Sequence, residues 1–134
     1  MDGQEFLFFE RHPQALPLYE AFVGKLGQLA QDVEIRVQKT QISFYRRHLF
    51  ACVSFARVRR KQDCPESFLV VTFGLGHKVE SPRIDAAVEP YPGRWTHHVL
   101  ISDPAQADEE LMGWVMEAYR FAEQKAGQKR RSNR

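Results

Sequence analysis

Residues 49–58 and 68–75 carry apolar side chains at both odd and even positions. A strand turns successive side chains to opposite faces, so such runs need cover on both sides. The chain must therefore build a sheet with at least two interior strands. The stretch between the runs, Arg59-Arg60-Lys61-Gln62-Asp63-Cys64-Pro65-Glu66, is polar and reads as an exposed connection.

The flanking patterns are of two kinds. Val33, Ile35 and Val37 alternate with Glu34, Arg36 and Gln38, which predicts a half-buried strand. Ile42 and Phe44 alternate with Ser43 and Tyr45 in a short second strand, and residues 95–101 form the last clear one. Residues 81–89, bracketed by Pro82 and Pro90, suggest a turn and a short strand. Outside the strands the period lengthens. Leu16, Tyr19, Val23, Leu26 and Ala30 recur at three and four, with Phe22 and Leu29 widening the stripe, which predicts a helix over 14–30. Pro13 suits its first turn, and a short helical turn is expected around 6–10. Asp103, Pro104 and Gln106 have capping-box spacing ahead of Leu111, Val115, Ala118 and Ala122, which predicts a last helix fading near Gly127.

Strands grouped between terminal helices indicate an α+β fold. The expectation is an antiparallel sheet of about five strands, with an N-terminal and a C-terminal helix packed on one face. Residues 1–126 form one domain, and the basic tail 127–134 is expected to be disordered. The second sheet face needs cover, from a long loop or from a second copy in a homodimer.

No apolar run approaches the ~20 residues that span a bilayer. The acidic start, Met1-Asp2-Gly3-Gln4-Glu5, lacks the basic region of a secretory leader. A cytoplasmic protein is expected, with no membrane partner and with Cys52 and Cys64 reduced. The net charge of +2 is unevenly spread. Residues 36–61 hold eight Lys or Arg and no acid, whereas residues 103–123 hold six acids and one Arg.

Chemistry concentrates in Pro92-Gly93-Arg94-Trp95-Thr96-His97-His98-Val99, where a turn enters a strand bearing two of the five histidines. Neighbours on a strand face opposite ways, so His97 and His98 cannot both face one ligand. A protein metal site needs about three ligands, and no HxH or HExxH spacing is present. No metal ion and no cofactor is expected. Lys39 continues the apolar parity of Val37 and either reaches into a pocket or covers core with its stem. Tyr45, Arg46, Arg47, Arg57, Arg59, Arg60 and Lys61, with interleaved aromatics, would suit phosphate contact and base stacking if one hairpin brought them together. The simpler reading is a basic face balanced by the acidic last helix. Glu80, Asp85 and Glu89 lie near Arg83 and Arg94 and are candidates to pair with them. Gly74-Leu75-Gly76 lacks the third glycine and the helix of a phosphate loop.

Four stretches together resemble a small bacterial domain family without an established activity, whose members occur alone or attached to larger proteins loosely described as transport- or nuclease-associated. The stretches are His12-Pro13, Lys39-Thr40-Gln41-Ile42-Ser43-Phe44, Ser81-Pro82-Arg83-Ile84 and Arg94-Trp95-Thr96-His97-His98, and the resemblance runs roughly over 9–122. It implies that Lys39, Gln41, Arg83, Arg94, His97 and His98 are the defining polar positions. With Tyr45 they are expected to line a cationic pocket of a non-catalytic module that binds an anionic small molecule or an acidic protein segment. One alternative is a nucleic-acid accessory protein using the basic face of Arg46, Arg47, Arg57, Arg59, Arg60 and Lys61 together with the basic tail. A second is an enzyme with His97 or His98 as general base.

Overall fold

In the computed structural model, residues 2–132 are described, with side chains through Gln124. Each alternating or doubly apolar run becomes a strand: β1 Glu34–Val37, β2 Gln41–Arg46, β3 His48–Ser54, β4 Leu69–Leu75 and β6 Arg94–Ile101. The proline-bracketed segment adds β5, Ala86–Tyr91, so the sheet has six strands. All pairings are antiparallel, in the order β1-β2-β3-β4-β6-β5. Pro90 sits within β5 because that strand is an edge, where a missing donor costs no ladder bond. Pro92 and Gly93 close the β5–β6 hairpin. Proline presets the first turn residue, and glycine takes the left-handed φ of 81°.

Register decides what each face carries. On one face lie the rows Ile42–Val53–Val71–Val99 and Phe44–Ala51–Phe73–His97. Helix α2, Leu16–Leu29, packs Tyr19, Phe22 and Leu26 on this face, and α3, Glu109–Ser132, packs Leu111, Val115 and Ala118. Phe22 meets Phe44 at 5.5 Å between ring centroids, and Phe50 meets Tyr119 of α3 edge-on at 5.4 Å. Both long helices therefore cover the same side. The opposite face carries Ser43, Cys52, Thr72 and His98 in one row. Its apolar members Val70 and Leu100 are buried without a second chain. The connection between β3 and β4 is tied to this region by Arg59, which donates to Asp85 at 2.6 Å.

Four local expectations are revised. The apolar run 49–58 leaves the sheet at Ser54, and Phe55 turns instead toward Phe8 and His12. The first helical segment is α1, Gly3–Phe8, one turn earlier than expected, because Asp2 and Glu5 form a capping box. The Asp103–Gln106 box caps a 3-10 turn at Pro104–Gln106, not the last helix. Asp108 begins α3, its carboxylate accepting from Leu111 N–H at 3.0 Å. The α3 backbone continues past Gly127 to Ser132, while residues 133–134 of the basic tail lie outside the described residues. No described helix is long and apolar enough to cross a membrane.

Candidate functional site

The two adjacent histidines occupy opposite faces of β6. His97 is fully buried on the helix side, stacked on Phe73 with centroids 5.1 Å apart. Its Nε2 accepts the Val79 backbone N–H at 2.9 Å, so the neutral ring carries its proton on Nδ1. Nδ1 has no hydrogen-bond partner among the described residues. Burial holds the His97 pKa below its ordinary value. His98 lies on the other face, with Nδ1 2.8 Å from the Thr72 hydroxyl. Burial lowers its pKa too, with Asp85 opposing. Cys52 neighbours Thr72 in register, but burial raises its thiol pKa, which disfavours the nucleophilic thiolate. Among the described residues no group of three His, Cys, Asp or Glu side chains is placed to hold a metal ion.

Arg83 is a strap. It donates to both Asp108 carboxylate oxygens at 2.8 and 3.0 Å, to Glu110 at 3.0 Å and to the Gln106 carbonyl at 2.9 Å. Its guanidinium also lies 6.0 Å from the Trp114 ring centroid. These contacts fasten the β4–β5 connection to the start of α3, and they engage Arg83 internally.

Lys39 and Gln41 are the sequence-derived candidates that one cavity brings together. Lys39 stands exposed in the β1–β2 turn, not over the core. With Thr40 and Gln41 it forms one wall of a cleft of about 560 Å³. The opposite wall comes from the end of α1 and the following turn: Leu7, Phe8, Arg11 and His12. Phe55 supplies the floor, stacked with His12 at 4.1 Å and with Phe8 at 5.6 Å. Neither Arg11 nor Lys39 is in an ion pair with a described residue, and Glu10 is the single acid in the lining. The cleft thus joins two of the four motif stretches, His12-Pro13 and Lys39-Thr40-Gln41. The sequence marks His12-Pro13 as a helix break and a resemblance stretch and Phe55 as an aromatic interleaved with the basic region, but Arg11 carries no mark of its own. A Pro two residues after an Arg and one after a His was the available signal that those side chains are pinned in a turn.

Tyr45 lies elsewhere, under Arg36 at 4.1 Å, in a recess where Asp32 and Glu34 offset Arg36, Arg46 and Arg47. The basic residues do not converge. Arg46 pairs with Asp32 and Glu123 and donates to the Tyr119 hydroxyl. Arg59 pairs with Asp85 and Arg60 with Asp63. Arg46 and Arg47 stand at the start of β3, whereas Arg57, Arg59, Arg60 and Lys61 follow its end. Arg94 lies apart from both groups, its guanidinium over Gly74 of β4.

With this geometry in view, the chain belongs to the family described as a Domain of unknown function (DUF5655), whose model matches residues 7–122. No curated protein and no solved structure matches it.

Proposed function

We propose that this chain is a non-catalytic binding module that receives an anionic group, of a small molecule or an acidic protein segment, in the cleft between Arg11–His12 and Lys39–Gln41. The observation that carries this reading is the pair of cations, Arg11 and Lys39, in no ion pair with a described residue and facing one cleft beside the stacked rings of Phe55 and His12. Such cations beside aromatic surface supply both charge and apolar contact to an incoming anion. The burial of His97 in the helix-side core supports the non-catalytic part, since a sealed imidazole cannot reach a substrate proton.

The test is calorimetric titration of the chain with an Asp/Glu-rich peptide and with nucleotides, at low and moderate salt. The expected result is saturable binding that falls at least tenfold in Lys39→Glu and in Arg11→Glu, both exposed positions whose replacement leaves the melting temperature nearly unchanged. Binding that is indifferent to both substitutions overturns the reading, as does the absence of any binding across the panel.

A further inference from the structure

Gly74 is the penultimate residue of β4, an interior strand whose other residues are almost all large and buried. Glycine there weakens a strand and often marks the close approach of another group. The approaching group is the Arg94 guanidinium: a methyl built on Gly74 would overlap its Cζ, Nε and Nη2. Arg94 and Thr96 share one side of β6, and Gly74 pairs with Thr96 in register. The missing side chain of Gly74 therefore makes the seat in which the guanidinium lies against the sheet.

Seated this way, Arg94 is half-buried, yet no hydrogen bond or ion pair joins its guanidinium to any described residue. This contrasts with Arg83, Arg46 and Arg59, each of which meets a carboxylate. The guanidinium opens into a recess of about 300 Å³ that Thr96, His48 and Tyr91 also line, with no acid among the described residues of the lining. A planar fork of donors, held flat and lacking an acceptor among the described residues, matches the two oxygens of a carboxylate.

We infer that the Gly74–Arg94 seat is a binding site for a carboxylate, with Thr96 and His48 as further hydrogen-bonding groups. It lies apart from the Lys39 cleft and does not depend on the function proposed there. The recess is small, so it suits a short organic acid such as a dicarboxylate.

The experiment is a succinate titration followed by 1H–15N spectra that include the arginine Nε–H resonances, with sodium chloride of equal ionic strength as control. The expected result is a saturable shift at Arg94 Nε and at the Gly74 amide that chloride does not reproduce. Affinity should fall at least tenfold in Arg94→Gln. Gly74→Ala is the decisive variant. Its methyl displaces the far end of a flexible side chain, so the fold and the charge persist while the seat is lost. A comparable fall in Gly74→Ala supports the inference. Wild-type affinity in either variant overturns it, and so does a chloride response equal to that of succinate. Lys39→Glu should leave the succinate shift intact, which separates this outcome from failure of the cleft.

Discussion

Consider His97, an imidazole at the centre of an apolar layer. Its Nε2 must stay unprotonated to accept from Val79, and Nδ1 has no hydrogen-bond partner among the described residues. Protonation would place a charge among Phe73, Trp114 and the helix-side core, against a donor N–H. The groups acting on it from outside are His77, which disfavours the charge, and Glu117 on α3, which favours it. Because the folded pKa lies below the unfolded value of 6.5, the unfolded chain takes up protons first as pH falls. Stability is therefore intact above about pH 6.5 and declines as pH drops through that value toward the folded pKa. His98 acts with the same sign. His77 acts oppositely, since its bond to Glu117 raises its pKa, but it is 61% exposed and contributes little. The urea midpoint should fall from pH 7 to pH 5, and His97→Phe should flatten that slope while costing about 1–3 kcal/mol at pH 7 through the lost Val79 acceptor. An unaltered slope in His97→Phe would assign the acid sensitivity elsewhere. At this scale strand parity told that the two histidines part company. It could not tell which faces the helices, because alternation is relative and only the packing of α2 and α3 gives it a sign.

At the scale of elements, the strands were legible because burial on a sheet writes itself as period two, and α2 because its stripe is broad. The caps were less so. Asp103 and Gln106 satisfy the spacing of a capping box, but Ala107 leaves helical geometry and Asp108 starts the helix again. Both starts are capped locally, Asp103 over the turn and Asp108 over the helix, and Arg83 then fixes the second cap from a sequence distance that no local motif reports. β1 shows the opposite limit: its alternation is clean, yet Ile35 remains 38% exposed because the strand is an edge. Burial alone would raise the Asp108 pKa, but the Arg83 guanidinium and the Leu111 N–H together hold it below its ordinary value. Both partners are part-exposed, which reduces what the pair is worth. Arg83→Ala should still cost about 1–2 kcal/mol, since it also forfeits the Gln106 carbonyl and the Trp114 face. A double-mutant cycle with Asp108→Ala should return a coupling near 1 kcal/mol. Zero coupling would mean that the strap holds through packing on Trp114.

Across the whole molecule, counting charge along the chain misleads. Residues 36–61 hold eight cations and no acid, which suggests one basic face. Folding supplies the missing acids from outside that window: Asp32 and Glu123 to Arg46, Glu34 to Arg36, Asp63 to Arg60 and Asp85 to Arg59. Strand β3 also separates Arg46 and Arg47 from Arg57–Lys61 by about 23 Å, from seven residues at ~3.3 Å each. The candidate ligand residues scatter for the same reason. Parity sends His97 and His98 apart, Arg83 is drawn to α3, and only Lys39 and Gln41 share a cleft. A nucleic-acid interface spread over paired cations at two ends of a strand would have to break existing ion pairs before it released counterions. Joint replacement Arg59→Ala and Arg60→Ala should therefore act on stability, not on binding. The Asp85 carboxylate would lose its guanidinium at a cost of about 1 kcal/mol, discounted because Arg59 is 36% exposed. Retention on single-stranded DNA at low salt should not change. If the double variant keeps its midpoint but loses a steeply salt-dependent affinity for DNA, then those arginines serve a phosphate backbone and the internal pairs are only their resting partners.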